Sequence, residues 1–306
     1  MTPRKPPAVF PGDTVAVCAP AGAVEREAVE RGVAELERLG FRVICGEGVF
    51  ERRLYTAGDA ERRLHELHQL WADDSVAALI CARGGAGAGR LLARLDAGLV
   101  AERPKLLVGY SDVTCLHLWL AAHGIVSVHG PMVAHELARG TYDRERFLAA
   151  LAGGPWEPVS DDLRVLQPGM AEGRLRGGCL SLLAAQAGTP WAMRSDEEGT
   201  ILFLEDVDER PYRIDRMLQQ LWDSGALRSV TGIVFGQMRG CQGRDADSFT
   251  LEDVLQDALR EFTGPVAIGL CSGHVDGPFV TLPLGVKARL ECGSAATLAI
   301  EEAAVS

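Results

Sequence analysis

Lys105-Leu-Leu-Val-Gly-Tyr-Ser-Asp-Val-Thr-Cys-Leu-His-Leu-Trp-Leu120 is the stretch on which the fold turns. Its apolar run, Leu106 to Tyr110, follows Pro104 and is too short for a helix, so it reads as a buried strand. From Val113 to Ala122 the pattern becomes helical, leaving only Ser111 and Asp112 at the turn. A strand apolar on both faces that feeds a helix directly is the unit of a parallel sheet with helices on both sides. A hydroxyl at such a turn stands above the strand's carboxyl end, where free helix N–H groups favour a developing negative charge. Gly109-Tyr-Ser-Asp-Val resembles the nucleophile elbow G-x-S-x-G, with Val113 in place of the second glycine. The alternative is that Ser111 or Asp112 only caps the helix.

Outward from this stretch the same alternation repeats. Strands are expected at Thr14–Ala19, Phe41–Cys45 and Val76–Ala82, and helices at Glu25–Leu39, Ala60–Trp71 and Arg90–Leu95. Around Gly153-Gly-Pro-Trp-Glu-Pro158 the pattern breaks into a Pro-, Gly- and Asp-rich segment that ends near Gly169. The expected division is an amino-terminal α/β domain over 1–155, a linker over 156–170 and a carboxy-terminal domain over 171–306. In the second half we expect strands at Thr200–Glu205, Gly232–Phe235 and Val266–Ile268, a helix at Tyr212–Trp222 and a hairpin tail at Phe279–Leu290. The fold class is α/β, a Rossmann-like parallel-sheet domain followed by a smaller, β-rich α/β domain.

Composition narrows the function classes. The chain has 306 residues and a net charge of −11. That field repels nucleic acid and anionic membranes, so neither is expected as a partner. No apolar run approaches the roughly 18–20 residues of a membrane-spanning helix. Asp13 and Pro20 interrupt what would otherwise pass for a signal-peptide core around Val15–Ala19. The eight cysteines are scattered singly and mostly sit in apolar runs. That usage fits a reducing cytoplasm and no structural zinc, and we expect no metal and no cofactor.

Three further segments carry candidate chemistry. The turn Arg83-Gly-Gly-Ala-Gly-Ala-Gly-Arg90 lies between a strand and a helix, but Arg90 breaks the dinucleotide pattern, and Arg90 and Leu91 break the P-loop. It is a tight turn, or a backbone that offers N–H groups to an oxyanion. Glu205 closes an apolar strand and is followed by Asp206, Asp208 and Glu209, a carboxylate placed to orient a histidine or a cluster of solvated acids. His274 stands in Cys271-Ser-Gly-His-Val-Asp-Gly-Pro, a glycine-flanked loop suited to an exposed imidazole. His65 and His68 narrowly miss H-E-x-x-H, because Gln69 stands where the second ligand belongs.

In order, Gly12-Asp-Thr-Val-Ala-Val-Cys-Ala-Pro, Arg83-Gly-Gly, Gly109-Tyr-Ser-Asp-Val-Thr, His129-Gly-Pro-Met, Gly177-Gly-Cys-Leu-Ser, Leu202-Phe-Leu-Glu-Asp, Pro211-Tyr-Arg-Ile-Asp-Arg, Gly273-His and Leu282-Pro-Leu-Gly resemble the LD-carboxypeptidase family of S66-type serine peptidases. The resemblance implies a Ser-Glu-His triad at Ser111, Glu205 and His274, the nucleophile from the amino-terminal domain and the other two from the carboxy-terminal one. It implies release of D-alanine from the L,D bond of a cell-wall tetrapeptide, a muropeptide as substrate and a homodimer. Backbone N–H groups of Gly85 and Asp112 are the expected oxyanion hole, and Arg83 the expected partner of the substrate's carboxylate. The chain departs from the family pattern at Ala86, usually an aromatic, and at Cys179, usually Asn. Three alternatives stand beside this reading. One is a branch similar to microcin C immunity proteins, which cleaves acyl-nucleotide conjugates with the same triad. The others are a non-catalytic binding protein and a nucleotide-dependent enzyme.

Overall fold

A computed structural model describes residues 2–243 and 248–306. The chain divides into two compact units. The first comprises Met1–Pro155, Pro278–Gly285 and Ala303–Ser306, and the second Trp156–Gly277 and Val286–Glu302.

In the first unit the elements run β1 (Thr14–Cys18), α1 (Arg26–Arg38), β2 (Arg42–Cys45), α2 (Ala60–Ala72), β3 (Val76–Cys81), α3 (Ala97–Glu102), β4 (Leu106–Gly109), α4 (Thr114–Ala122), β5 (Ser127–His129) and α5 (Arg144–Ala152). Their sheet has the order β2-β1-β3-β4-β5, all parallel, and an antiparallel edge strand, Leu282–Leu284, completes it beside β5. The expected parallel sheet is thus present, in the flavodoxin-type order, which reverses between β1 and β3. Ligands of open α/β sheets bind outside the strands' carboxyl ends at such a reversal. The loops after β1, β3 and β4 all open at that end. In place of the helix expected at Arg90–Leu95, the chain makes two 3₁₀ turns, Ala88–Arg90 and Leu92–Arg94, ahead of α3. Asp59 starts α2 by accepting the Arg62 N–H at 2.9 Å, a cap worth about 1 kcal/mol.

The second unit contains β6 (Arg164–Gln167), β7 (Gly169–Cys179), α6 (Leu180–Gln186), β8 (Thr200–Glu205), α7 (Pro211–Asp223), β9 (Val230–Gly236), α8 (Leu251–Ala258) and β10 (Val266–Leu270). After the edge strand of the first sheet, numbered β11, come β12 (Lys287–Cys292) and β13 (Ala296–Ile300). The sheet order is β13-β12-β7-β8-β9-β10-β6, with β7 to β10 parallel and the three outer strands antiparallel. Two expectations need correcting. Residues 156–170 are not a free linker: they supply β6 and the start of β7. Phe279–Leu290 is not a hairpin either, since β11 pairs with β5 and the hairpin lies further on, between β12 and β13. Pro, Gly and Asp content does not exclude a short strand at a sheet edge, which is where β6 lies. Alternation of apolar residues marks a strand but says nothing of which sheet it joins.

Candidate functional site

Ser111 sits where β4 ends, with φ +61, a left-handed backbone that a non-glycine residue adopts only at a cost of about 1–3 kcal/mol. Three neighbours hold it there. His117, fully buried on α4, donates from Nε2 to the Gly109 carbonyl at 2.8 Å and accepts the Ser127 hydroxyl at Nδ1, 2.9 Å. Burial drops its pKa to about 4, so the ring is neutral at neutral pH and, with Nε2 donating, Nδ1 is the acceptor. Tyr110 donates its hydroxyl to the half-buried carboxylate of Glu136 at 2.9 Å. On the third side, a Cβ on Gly84 would lie 2.7 Å from Ser111 Cβ and 2.9 Å from its Oγ, so only glycine lets this backbone approach so closely.

The capping alternative does not hold. Tyr110 and Val113 are the residues preceding the 3₁₀ turn and α4, and neither junction has a side-chain cap. Asp112 spends its carboxylate on the glycine loop instead, accepting the Ala88 N–H at Oδ2, 2.8 Å. It is only 5% exposed, and burial raises its pKa, opposed by that N–H and by the Arg63 cation. Gly85, with φ +108, is exposed beside this junction. Arg83 directs Nη1 to the Ala23 carbonyl at 3.2 Å, so its guanidinium is partly committed to the β1 loop. That loop joins the glycine turn through the Gly22 N–H, which donates to the Gly84 carbonyl at 2.9 Å. Ser111, Asp112, Gly85 and Arg83 therefore belong to one cluster within the first unit.

Glu205 and His274 form a second cluster, within the second unit. Glu205 is the last residue of a wholly buried strand and is itself 1% exposed. Its Oε2 accepts both the His274 backbone N–H, 3.1 Å, and Nδ1–H, 2.8 Å. With Nδ1 donating, the neutral ring carries its lone pair on Nε2. Burial works against the imidazolium, but the Glu205 hydrogen bond and charge, aided by Asp206, outweigh it and raise the pKa of His274 above its ordinary value. Gly273, φ +93, makes the contact possible: a Cβ there would lie 2.5 Å from Glu205 Cγ and Oε2. The acids after Glu205 are not a solvated cluster at their first member. Asp206 is buried and accepts the N–H groups of Ser181 at 2.7 Å and Val207 at 2.9 Å, which ties the start of α6 to the end of β8. Cys179 is opposite Glu205 in the register of β7 and β8, buried, with its thiol 3.3 Å from Ser181 Oγ. Ala86 is exposed.

Among the described residues no group of three His, Cys, Asp or Glu side chains is arranged to hold a metal, and no helix is long and apolar enough to cross a membrane. His68 accepts the Asp96 N–H at Nε2, 3.1 Å, a structural use. Sequence reasoning missed the side-chain role of Asp112, the burial of Asp206 and a buried arginine on α2, Arg63. For Arg63 a signal existed: with Leu67 and Trp71 it occupies i, i+4, i+8 of the buried stripe.

A strained serine at a strand-to-helix elbow and an imidazole held by a buried carboxylate are parts from which serine hydrolases are built. The chain belongs to the LD-carboxypeptidase family. Residues 15–130 match its N-terminal domain and residues 172–290 its C-terminal domain. It is 38% identical over 312 residues to the probable murein peptide carboxypeptidase of Bacillus subtilis, covering 99% of this chain and 95% of that one. A solved structure of muramoyltetrapeptide carboxypeptidase from Oxalobacter formigenes is 32% identical with a TM-score of 0.84, covering 95% of this chain and 99% of that one. The microcin C7 self-immunity protein MccF of Escherichia coli is 27% identical over 92% of this chain and 91% of its own length. MccF structures match at a TM-score of 0.87 over 99% of this chain and 100% of theirs.

Proposed function

We propose that this protein is a serine L,D-carboxypeptidase that releases terminal D-alanine from cell-wall tetrapeptides. The observation that carries the reading is the left-handed backbone of Ser111, held against Gly84 and serving no capping role. Strain kept at one serine by three sets of packed neighbours is what a nucleophile's turn requires, and a helix cap does not need it. The relatives named for murein peptides and for muramoyltetrapeptide support the substrate class.

In this mechanism His274 Nε2 takes the Ser111 Oγ proton as Oγ bonds the carbonyl carbon of the scissile peptide. The carbonyl oxygen becomes an oxyanion, received by the N–H groups of Asp112 and Gly85, each contributing about 3 kcal/mol if well aimed. His274 then gives its proton to the departing D-alanine amine as the C–N bond breaks. Water, deprotonated by His274, then bonds the acyl carbon; the ester C–O bond breaks, His274 passes the proton to Ser111 Oγ, and the shortened peptide leaves with a new carboxylate. Glu205 stays ionised, holds the tautomer and stabilises the imidazolium. Arg83 is the candidate partner of the substrate's terminal carboxylate.

The test measures D-alanine release from an L,D-linked muramoyl tetrapeptide in EDTA, for wild type and Ser111→Ala. Activity that survives chelation and falls by about 10⁴ or more in the variant is expected. An unchanged variant would mean another nucleophile. The likeness to MccF supports a second reading, cleavage of an acyl-nucleotide conjugate with the same residues. A wild type inert on the tetrapeptide but active on an aminoacyl sulfamoyl adenosine would establish it.

A further inference from the structure

Arg63 lies on the buried stripe of α2 and is 2% exposed. A cation there is costly to desolvate, and an apolar side chain would continue the stripe more cheaply. Its hydrogen bonds lead to three separate segments. Nη1 donates to the Pro20 carbonyl at 2.7 Å, after β1, and to the Gly87 carbonyl at 2.9 Å, in the glycine turn. Nε donates to Asp59 at the start of its own helix, 3.3 Å. Gly87 is shaped around it: φ is +117, and a Cβ would lie 2.8 Å from Nη1 and 2.9 Å from Thr56 Cγ2. The next residue, Ala88, donates its N–H to Asp112, the residue after the nucleophile. Arg63 and Asp112 also favour each other's charged forms.

We infer that Arg63 is a positioning residue for the oxyanion hole: it clamps the glycine turn at Gly87 so that the N–H groups of Gly85 and Asp112 converge beside Ser111. The inference rests on the serine-hydrolase reading above. The clamp acts at the one place where small displacement matters most, since a misplacement of about 1 Å costs on the order of 10²-fold in rate. Arg63 has no contact with substrate in this scheme. Its loss weakens transition-state stabilisation and leaves ground-state binding intact.

The experiment compares wild type, Arg63→Gln and Arg63→Lys in two assays, with thermal unfolding as the control for folding. One assay is the rate at which an alkyl fluorophosphonate labels Ser111, in which Oγ bonds phosphorus and fluoride leaves. The other is steady-state release of D-alanine from the tetrapeptide. The expected result for Arg63→Gln is labelling and kcat ten- to a hundredfold slower, with KM within about twofold. Arg63→Lys, which still reaches one carbonyl at a time, is expected to recover part of both and carries the test if the Gln variant does not fold. Labelling at the wild-type rate by a folded variant overturns the inference. So does a rise in KM at unchanged kcat, or a lysine variant no faster than Gln whose rate loss merely follows its loss of folded protein. A wild type that labels at Ser111 yet releases no D-alanine overturns the substrate reading alone, and the labelling rates still decide the clamp. A wild type that does not label at Ser111 overturns both.

Discussion

His274 is the residue at which protonation and function are most tightly linked. In the proposed mechanism it must be neutral to take the proton of Ser111, and Glu205 holds its pKa above the ordinary value. The wild-type kcat/KM is therefore expected to rise with pH through a value above 6.5, the ordinary histidine pKa. Glu205→Gln removes the charge that raises it, so the acid limb moves to lower pH while the plateau falls by about 10³ or more. A pH–rate profile of both proteins checks this, and an unmoved limb would exclude His274 as the titrating base. The same shift has a stability consequence of fixed sign. A raised folded pKa contributes stability that is complete below 6.5 and is lost as pH rises through the folded value. Asp206 favours the charged ring and Arg239 opposes it, so both belong to the balance.

At the scale of elements, the candidate side chains of each unit stand on turns that follow strands. β4, β8 and β10 are buried runs whose ends are given over to Ser111, Glu205 and the loop that carries His274. The strands' core face is fixed by packing, which leaves the turn residues at defined heights above the sheet. Gly273→Ala tests how narrow the tolerance is. Its Cβ would fall 2.5 Å from Glu205 Oε2 at a φ of +93. The expected cost is about 1–3 kcal/mol in stability and tenfold or more in kcat. Gly46→Ala is the control: Gly46 has φ −77 and open space around its Cβ position, so it is expected to stay within about 0.5 kcal/mol of wild type. Denaturant unfolding and steady-state kinetics on both variants make the comparison.

For the whole molecule, charge is the quantity that acts at long range. At −11 the protein repels an acidic muropeptide until local cations take over. Screening weakens that repulsion, since the Debye length falls from about 30 Å at 0.01 M to about 8 Å at 0.15 M salt. The expected outcome is a kcat/KM that rises about two- to threefold over that range with an acidic tetrapeptide. A fall instead would place local cations such as Arg83 in control even of encounter.

Much was legible in the sequence, for a physical reason. The short run Leu106–Tyr110, apolar on both faces, and the helical stretch directly after it report burial on both sides, which is what a strand of a parallel sheet with flanking helices needs. The order of motifs that resembles the LD-carboxypeptidase family marks Ser111, Glu205 and His274 as candidates, and Ser111 and Glu205 stand where buried strands end. What only the tertiary structure decided is set by distant partners. That Ser111 is strained and does not cap α4 depends on Gly84 and His117. That Asp112 anchors the glycine turn depends on Ala88, and that Arg63 is buried depends on the carbonyls of Pro20 and Gly87. The allotment of β11 and β12 to different sheets is of the same kind. A strand's pattern states that it needs a partner, and only the assembled chain determines which one satisfies it.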